Sequence, residues 1–322
     1  MARLLHALQL TRRAILAALF FAGVAPRGFA GQVRALPPPR QRSLEALKGV
    51  VRWGCQYQKV DLGAIARSGL DLIVLDPSLD DARMRFLSQA ECKLLKKKSN
   101  GGRRLVIAYL SVGEVDTKRW HWPTEWRRKA PDWVGPENAS WPGSRSVKYW
   151  NAEWQSLVWN GDHSILSRIL DIGFDGVFLD RMDAYGDWGS SAEAMEAMAD
   201  LVIALGEKAR AQNPEFILMM QNAEALLPHE HLVAAIDAHS KESLLTGLSG
   251  PNSLNREQDV EWSLGYLRPL QDTGVPTFDT EYLPDESVRP SLKARLAELA
   301  FVPFFAEPSL SSLPGGAEEL GN

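Results

Sequence analysis

Asp180, Asp183 and Tyr185 follow the apolar run Gly176-Val177-Phe178-Leu179 within the segment Gly173 to Tyr185. A run of that composition reads as a strand buried on both faces. Asp180 then leaves it at the carboxyl end, with Asp183 and Tyr185 on the adjoining loop. Acids recur at the ends of other apolar runs. Asp76 closes the second, Glu114 follows Tyr109-Leu110-Ser111-Val112-Gly113, and Asn222 and Glu224 follow Met220-Gln221. Glu242 ends Ser240-Lys241-Glu242, and Glu281 lies in Asp279-Thr280-Glu281-Tyr282. Any one of these could instead cap a helix or pair with an arginine such as Arg181. Crowded into one pocket, carboxyls disfavour each other's ionisation, so that some keep a proton while others stay charged. Such an acid/base pair is what glycosidic bond cleavage needs, with retention expected near about 5 Å separation and inversion at roughly 6.5–9.5 Å.

The elements that must hold these groups are short apolar runs with helical or loop material between them. Eight occur: Val51 to Gln56, Leu72 to Leu75, Leu105 to Leu110, Gly176 to Leu179, Phe216 to Met220, Ile236 to His239, Thr277 to Thr280 and Phe301 to Phe305. Amphipathic stretches over Asp80 to Lys98, Asn151 to Ile172, Ser190 to Gln212 and Pro290 to Ala300 separate several of them. Alternating strands and helices imply parallel pairing with crossovers, and eight units over residues 50–310 fit an α/β single-domain (β/α)8 TIM barrel. Its catalytic groups would sit on the loops after the strands. A doubly wound sheet is the alternative, but neither Gly-x-Gly-x-x-Gly after the first strand nor Gly-x-x-x-x-Gly-Lys-Ser/Thr is present.

The longest insertion runs from Val115 to about Asn151, after the third strand, and carries Trp120, Trp122, Trp126, Trp133, Trp141 and Trp150 of the chain's 11 tryptophans. Flat indoles in a polar loop could stack on sugar C–H faces, with Trp120 and Trp122 the substrate-binding candidates, or could form a small core beneath the loop.

The first thirty residues are a separate unit. Arg12-Arg13 precede the apolar stretch Ala14 to Val24, and Gly28-Phe29-Ala30 supplies small residues for cleavage, which reads as a secretory signal over 1–30. The apolar stretch is shorter than the roughly 20 residues of a spanning helix; an uncleaved amino-terminal anchor is the alternative. Thr11-Arg12-Arg13-Ala14-Ile15-Leu16 resembles a twin-arginine motif, although paired arginines occur in ordinary signals too. The expectation is export to the periplasm or beyond, with no stable membrane insertion after cleavage. Residues 31–49, with Pro37-Pro38-Pro39, read as a stiff, solvated lead-in, and 311–322 as a flexible tail.

Removing residues 1–30 leaves 32 basic against 40 acidic residues, a net charge of −8. An acidic chain without a basic run is ill suited to nucleic acid, whereas a negative cleft attracts a cationic ligand. Cys55 and Cys92 could form one bridge in an oxidising compartment or stay free. No metal or cofactor motif is present, His229-Glu230-His231 lacking the spacing of a zinc site on a helix. There is no Gly-x-Ser-x-Gly elbow either.

The segment Tyr109-Leu110-Ser111-Val112-Gly113-Glu114, the run Gly173 to Asp180 with Asp183 and Tyr185, and Gln221-Asn222-Ala223-Glu224 together resemble glycoside hydrolase family 114, the endo-α-1,4-polygalactosaminidase-like barrels. The resemblance runs from about Trp53 to about Phe305. It implies hydrolysis of a partly deacetylated galactosamine polymer, a cationic exopolysaccharide, by a secreted enzyme, taken to be a monomer without cofactor. It also implies a catalytic aspartate ending the fourth strand, matched by Asp180, and a glutamate ending a later strand, aligned with Glu242, for which Glu224 is a rival. Asp180 would be nucleophile or charge stabiliser and Glu242 general acid/base. Glu114, Asp183 and Tyr185 would contact the sugar and its amine, with Asp76, Tyr109, Asn222, Glu224 and Glu281 lining the site. A carbohydrate-binding barrel without catalysis is the alternative.

Overall fold

The computed structural model describes residues 38–79, 85–250, 253–282 and 286–313. The expected signal, the first part of the lead-in and residues 314–322 of the expected tail lie outside the described residues. Among the described residues there are eleven strands: β1 (Trp53–Gln56), β2 (Leu72–Leu75), β3 (Leu105–Ser111), β4 (Glu114–Asp116), β5 (Val134–Glu137), β6 (Ser144–Val147), β7 (Gly176–Asp180), β8 (Ile217–Gln221), β9 (Ala238–Glu242), β10 (Thr277–Tyr282) and β11 (Phe301–Ala306). Eight form one parallel sheet in the order β1-β2-β3-β7-β8-β9-β10-β11, and β4-β6-β5 form a small antiparallel sheet within the insertion. Consecutive barrel strands are neighbours throughout, which is the order of a (β/α)8 barrel and not of a doubly wound sheet.

The wall is closed between β1 and β11 by a side chain and by a backbone bond just beyond the strands, and not by a strand ladder. The Trp53 indole N–H donates to the Val302 carbonyl at 2.9 Å, and its ring lies 5.5 Å from that of Phe304 and 5.3 Å from that of Phe278. The Tyr57 amide donates to the Leu310 carbonyl at 3.0 Å.

Because successive strand side chains point to opposite faces, each apolar run divides in two. Trp53, Cys55, Leu72, Val74, Leu105, Ile107, Phe178, Ile217, Met219, Ala238, Phe278 and Phe304 fill the interior. Ile73, Leu75, Val106, Ala108, Val177, Leu179, Leu218 and Met220 pack outward beneath the helices. Cys55 and Cys92 are both free and belong to the inner and outer cores respectively.

The helices are α1 (Pro38–Lys48), α2 (Leu62–Arg67), α3 (Gln89–Leu95), α4 (Ala152–Gln155), α5 (Ile165–Ile172), α6 (Ala192–Gln212), α7 (Glu230–Ala235), α8 (Glu257–Asp272) and α9 (Arg289–Glu298). Ser88 begins α3 with a complete capping box to Glu91, and Ser164 and Ser191 cap α5 and α6, so serines stop the chain from extending where each helix starts.

In α1 the structure departs from the expected solvated lead-in. Prolines suit the first helical turn, where their missing N–H has no partner to lose. The helix then brings Leu47, followed by Val50, into the interior cluster, closing the amino-terminal mouth of the barrel. Polar ties fix it there: Ser43 Oγ donates to the Glu215 carbonyl at 2.8 Å, and Arg40 pairs with buried Asp237 at 3.1 Å. Asp237 also accepts from the Leu218 amide at 2.9 Å and from Arg210 at 2.6 Å.

Leu47 is only 1% exposed. Replacing it with Ala is expected to cost about 2–5 kcal/mol, read as a lower midpoint in urea unfolding with the native circular dichroism retained. A loss below about 0.5 kcal/mol, the scale of an ordinary surface change, would mean that α1 is not a plug.

Candidate active site

Inward-pointing residues at the carboxyl ends of the strands converge at one mouth. β7 brings Asp180 and β9 brings Glu242, each gripped by a phenol from a strand end. Tyr109 Oη on β3 donates to Asp180 Oδ2 at 2.6 Å, and Tyr282 Oη on β10 donates to Glu242 Oε1. A second donor completes each carboxylate. The Arg181 amide donates to Asp180 Oδ1 at 2.7 Å, and Asn222 Nδ2 donates to Glu242 Oε2 at 3.1 Å. Asn222 also accepts the Glu242 amide on Oδ1 at 2.9 Å, so one side chain sets both backbone and carboxylate of Glu242.

The backbone turns sharply just past these strand ends. Arg181, Asn222, Ala223 and Ser243 all have positive φ, at 60°, 49°, 53° and 54°. Such conformations cost on the order of 1–3 kcal/mol each and persist only where surroundings impose them. The surroundings do so here: the Arg181 side chain is held by three carboxylates, Asn222 by Glu242, and the Ser243 amide donates to the Thr280 carbonyl at 2.8 Å. Gly113 is where the loops after β3 and β7 cross. A Cβ there would lie 2.3 Å from both the Arg181 carbonyl oxygen and Ala184 Cβ.

Burial pushes both Asp180 and Glu242 above the usual carboxylate range. Their charged neighbours differ. After burial and the phenol, Asp180 feels Arg181, which favours its anion, and Asp183, which opposes it; Glu242 feels the negative charge of Asp180, which favours its protonated form, and Lys241, which opposes it.

Around this pair lies a ring of structural charges. The Arg181 guanidinium contacts Glu114 at 2.9 Å, Asp183 at 3.0 Å and Asp187 at 2.6 Å. Asn138, from the insertion, donates to Glu114 at 2.7 Å. Burial lifts Glu114 to about 7, against the pull of Arg181. Asp76 is fully buried, pairs with Arg119 at 2.7 Å and accepts the Ser78 amide at 2.9 Å. Arg119 lies 5.6 Å from the Tyr109 ring centroid. Asp76, Tyr109, Glu114, Arg119 and Trp120 line one cavity of about 70 Å³.

Four expected site residues are turned elsewhere. Glu281 lies on the outward face of β10, because Phe278 points inward and so, by alternation, do Thr280 and Tyr282. Its carboxylate accepts the amides of Leu245 at 2.6 Å and Thr246 at 3.1 Å, together with the Thr246 hydroxyl. It thereby fixes the loop that follows Glu242. Glu224, the rival acid/base, pairs with Lys241 at 3.1 Å and accepts from Ser263 at 3.0 Å on the helix side of the wall. It lies below the usual carboxylate range: burial raises it, but Lys241 and His239 outweigh that. Tyr185 is buried in the outer core. Trp122 belongs to a chain of indoles, Trp122–Trp126–Trp133–Trp154, with successive ring centroids 5.3 Å apart. That chain is a small core beneath the insertion. Trp120 remains at the cavity, with Arg168 4.6 Å from its ring. Tyr282 and Arg181 are the site residues the strand-end reading passes over; counting alternate residues along Phe278-Thr280-Tyr282 would have found the tyrosine.

A family model described as glycoside-hydrolase family GH114 matches residues 39–313. The chain belongs to glycoside hydrolase family 114. An uncharacterised protein of Deinococcus radiodurans is 31% identical over 288 residues, covering 86% of each chain. Among solved structures, the glycoside hydrolase domain of PelA from Pseudomonas aeruginosa superposes with a TM-score of 0.64 at 23% identity, over 82% of this chain and 98% of that one. Aspergillus fumigatus Ega3, solved in complex with galactosamine, gives 0.59 at 16% identity, over 82% and 94%. The protein is thus a glycoside hydrolase on a TIM barrel, of the endo-α-1,4-polygalactosaminidase-like family.

Asp279 and Glu281 share the outward face of β10 and are both fully buried, with the charge of Lys241 pulling Asp279 down against its burial. Burial and the charge of Glu281 keep a proton on Asp279, while burial lifts Glu281 to about 7 against the hydrogen bonds it accepts from Thr246, Leu245 and Asp279. Groups raised above their unfolded values hold extra protons in the native state, so their stabilisation is present at low pH and is lost as pH rises through the folded value. Wild-type Tm is therefore expected to fall relative to that of Glu281→Gln as pH goes from the ordinary glutamate value toward about 7. Parallel Tm curves by calorimetry would contradict the shared-proton assignment.

Proposed function

We propose that the protein is an exported, monomeric hydrolase of an α-1,4-linked galactosamine-containing polysaccharide. Asp180 is nucleophile or charge stabiliser, and Glu242 is general acid/base. The observation that carries the mechanism is the convergence of Asp180 and Glu242 at one mouth, each held by a phenol and a second neutral donor and each raised by burial. A protonated Glu242 can deliver its proton to the leaving oxygen while the Asp180 carboxylate meets charge developing at the anomeric carbon. Tyr109 and Tyr282 hold the two carboxyls in place. The substrate class follows from family membership and from the galactosamine bound by the structurally similar Ega3. It suits a polymer with free amines, since Glu114, Asp183 and Asp187 share one arginine at the mouth of the site. Export is supported by Arg12-Arg13 and the apolar stretch Ala14 to Val24. No described helix is long and apolar enough to cross a membrane.

The test is reducing-end release from deacetylated α-1,4-galactosamine polymer by the mature protein, Asp180→Asn and Glu242→Gln. Both variants should fold. Glu242→Gln should lose about 10²–10⁴ in kcat, the usual contribution of a positioned acid/base. With both groups pushed up by burial, activity should start to fall with acidification above the ordinary aspartate range as Asp180 takes up a proton. The alkaline limb, set by Glu242, should lie above the ordinary glutamate range. An unchanged rate in either variant, or a parent that binds the polymer without cutting it, would sink the assignment.

A further inference from the structure

The tryptophan-rich insertion leaves two indoles open to solvent among the described residues, Trp150 at 43% and Trp141 at 41%. Trp150 is the better placed. It follows β6, which pairs with β4, the direct continuation of the carboxyl end of β3. Its ring meets two other aromatics nearly at right angles: Tyr149 at 4.9 Å and 87°, and Trp188 at 5.6 Å and 80°. Neither lies parallel against it, so no stacked ring competes for a flat ligand.

The support beneath is rigid. Tyr149 is fully buried and its hydroxyl donates to the Ala194 carbonyl at 2.6 Å. The Trp188 indole N–H donates to the Val147 carbonyl at 2.9 Å. Gly135 on β5 lets Trp188 lie close on the small sheet, where a Cβ would come within 3.0 Å of the ring and 2.4 Å of Ser146 Oγ.

The patch is continuous with the catalytic mouth. Trp188 follows Asp187, Asp187 pairs with Arg181 at 2.6 Å, and Arg181 follows Asp180. Along that path Glu114, Asp183 and Asp187 meet one guanidinium, an excess of negative charge that leads from the catalytic pair toward the indoles. The patch already accommodates an ammonium over an indole, with Lys148 Nζ 5.9 Å from the Trp188 ring. A sugar ring carrying an amine offers both matching parts, a flat C–H face for the indole and a cation for the acids.

We infer that Trp150, backed by Trp188 and bordered by Asp183 and Asp187, is an outer subsite that binds an amino-sugar unit of the polymer at a distance from the bond being cut. This rests on the hydrolase reading above. Its consequence is a preference for long chains: a polymer reaches both the catalytic pair and Trp150, whereas a short oligomer seated at the catalytic pair does not.

The experiment compares the mature protein, Trp150→Ala and Trp150→Phe on deacetylated α-1,4-galactosamine polymer and on short oligomers of it, with Tm measured alongside. Trp150→Ala should raise KM for the polymer roughly two- to fivefold, the size of an exposed cation–π contact. kcat should hold, KM for the oligomers should not move, and Trp150→Phe should recover part of the loss. A second readout, free of turnover, is retardation of the Asp180→Asn protein in a gel containing the polymer, which adding Trp150→Ala should weaken. If the parent cuts the polymer but Trp150→Ala leaves both long-chain KM and retardation unchanged, the subsite is wrong and the hydrolase stands. A parent that neither cuts nor binds the polymer overturns the reading and the subsite together.

Discussion

Eight parallel strands in a closed ring give every residue one of two fates: toward the barrel axis or toward the helices. That alternation decides which carboxylates can touch a sugar. Asp180 and Glu242 share the register of Phe178 and Ala238, which fill the interior below them. Glu281, one residue before Tyr282, has the opposite fate. The phenol therefore grips Glu242 from inside the barrel while the neighbouring carboxylate secures the following loop from outside. One strand thus supports Glu242 and the loop after it from both faces of the wall.

Buried charge in this protein is divided accordingly. Two outward acids are given fixed cationic partners, Asp237 two arginines and Glu224 Lys241, whereas Asp279 and Glu281 share a proton instead. Removing one partner of such a pair leaves an uncompensated buried charge, typically a loss of about 3–5 kcal/mol, so these groups are committed to the fold. At the mouth, Asp180 and Glu242 accept bonds from neutral donors and face no cation in direct contact, apart from the reach of Arg181. Neutral donors orient a carboxylate without fixing its charge, which leaves the proton movable.

Most of the architecture is legible in the sequence, because eight apolar runs bounded by polar connections leave few ways to bury both faces of a parallel sheet. Asp180, Glu242, Tyr109 and Asn222 are legible as well, since each stands where an apolar run stops. The errors have one physical origin. A strand end places a residue at the mouth, but only the alternation says on which side of the wall, and for Glu281 and Glu224 proximity in sequence stands in for direction. The lead-in is misread for a different reason. Its prolines signal a stiff segment, but the residues that make it a plug, Leu47 on the helix and Val50 just after it, belong to a stretch too polar to announce a buried face. Among the tryptophans, sequence offers no way to tell Trp122, packed edge-on in a chain of indoles, from Trp150, which is open to solvent.

The seam at β1 and β11 bears on how the molecule comes into being. It is made by Trp53 reaching Val302 and by Tyr57 reaching Leu310, partners separated by 249 residues in the first case. Closing a loop of that length costs entropy that nearby contacts must already have offset. The other strands of the wall can pair with neighbours as they emerge from the ribosome. The ring itself cannot shut until Val302 and Leu310 have been made, so the mouth that holds Asp180 and Glu242 takes shape only after the last barrel strand.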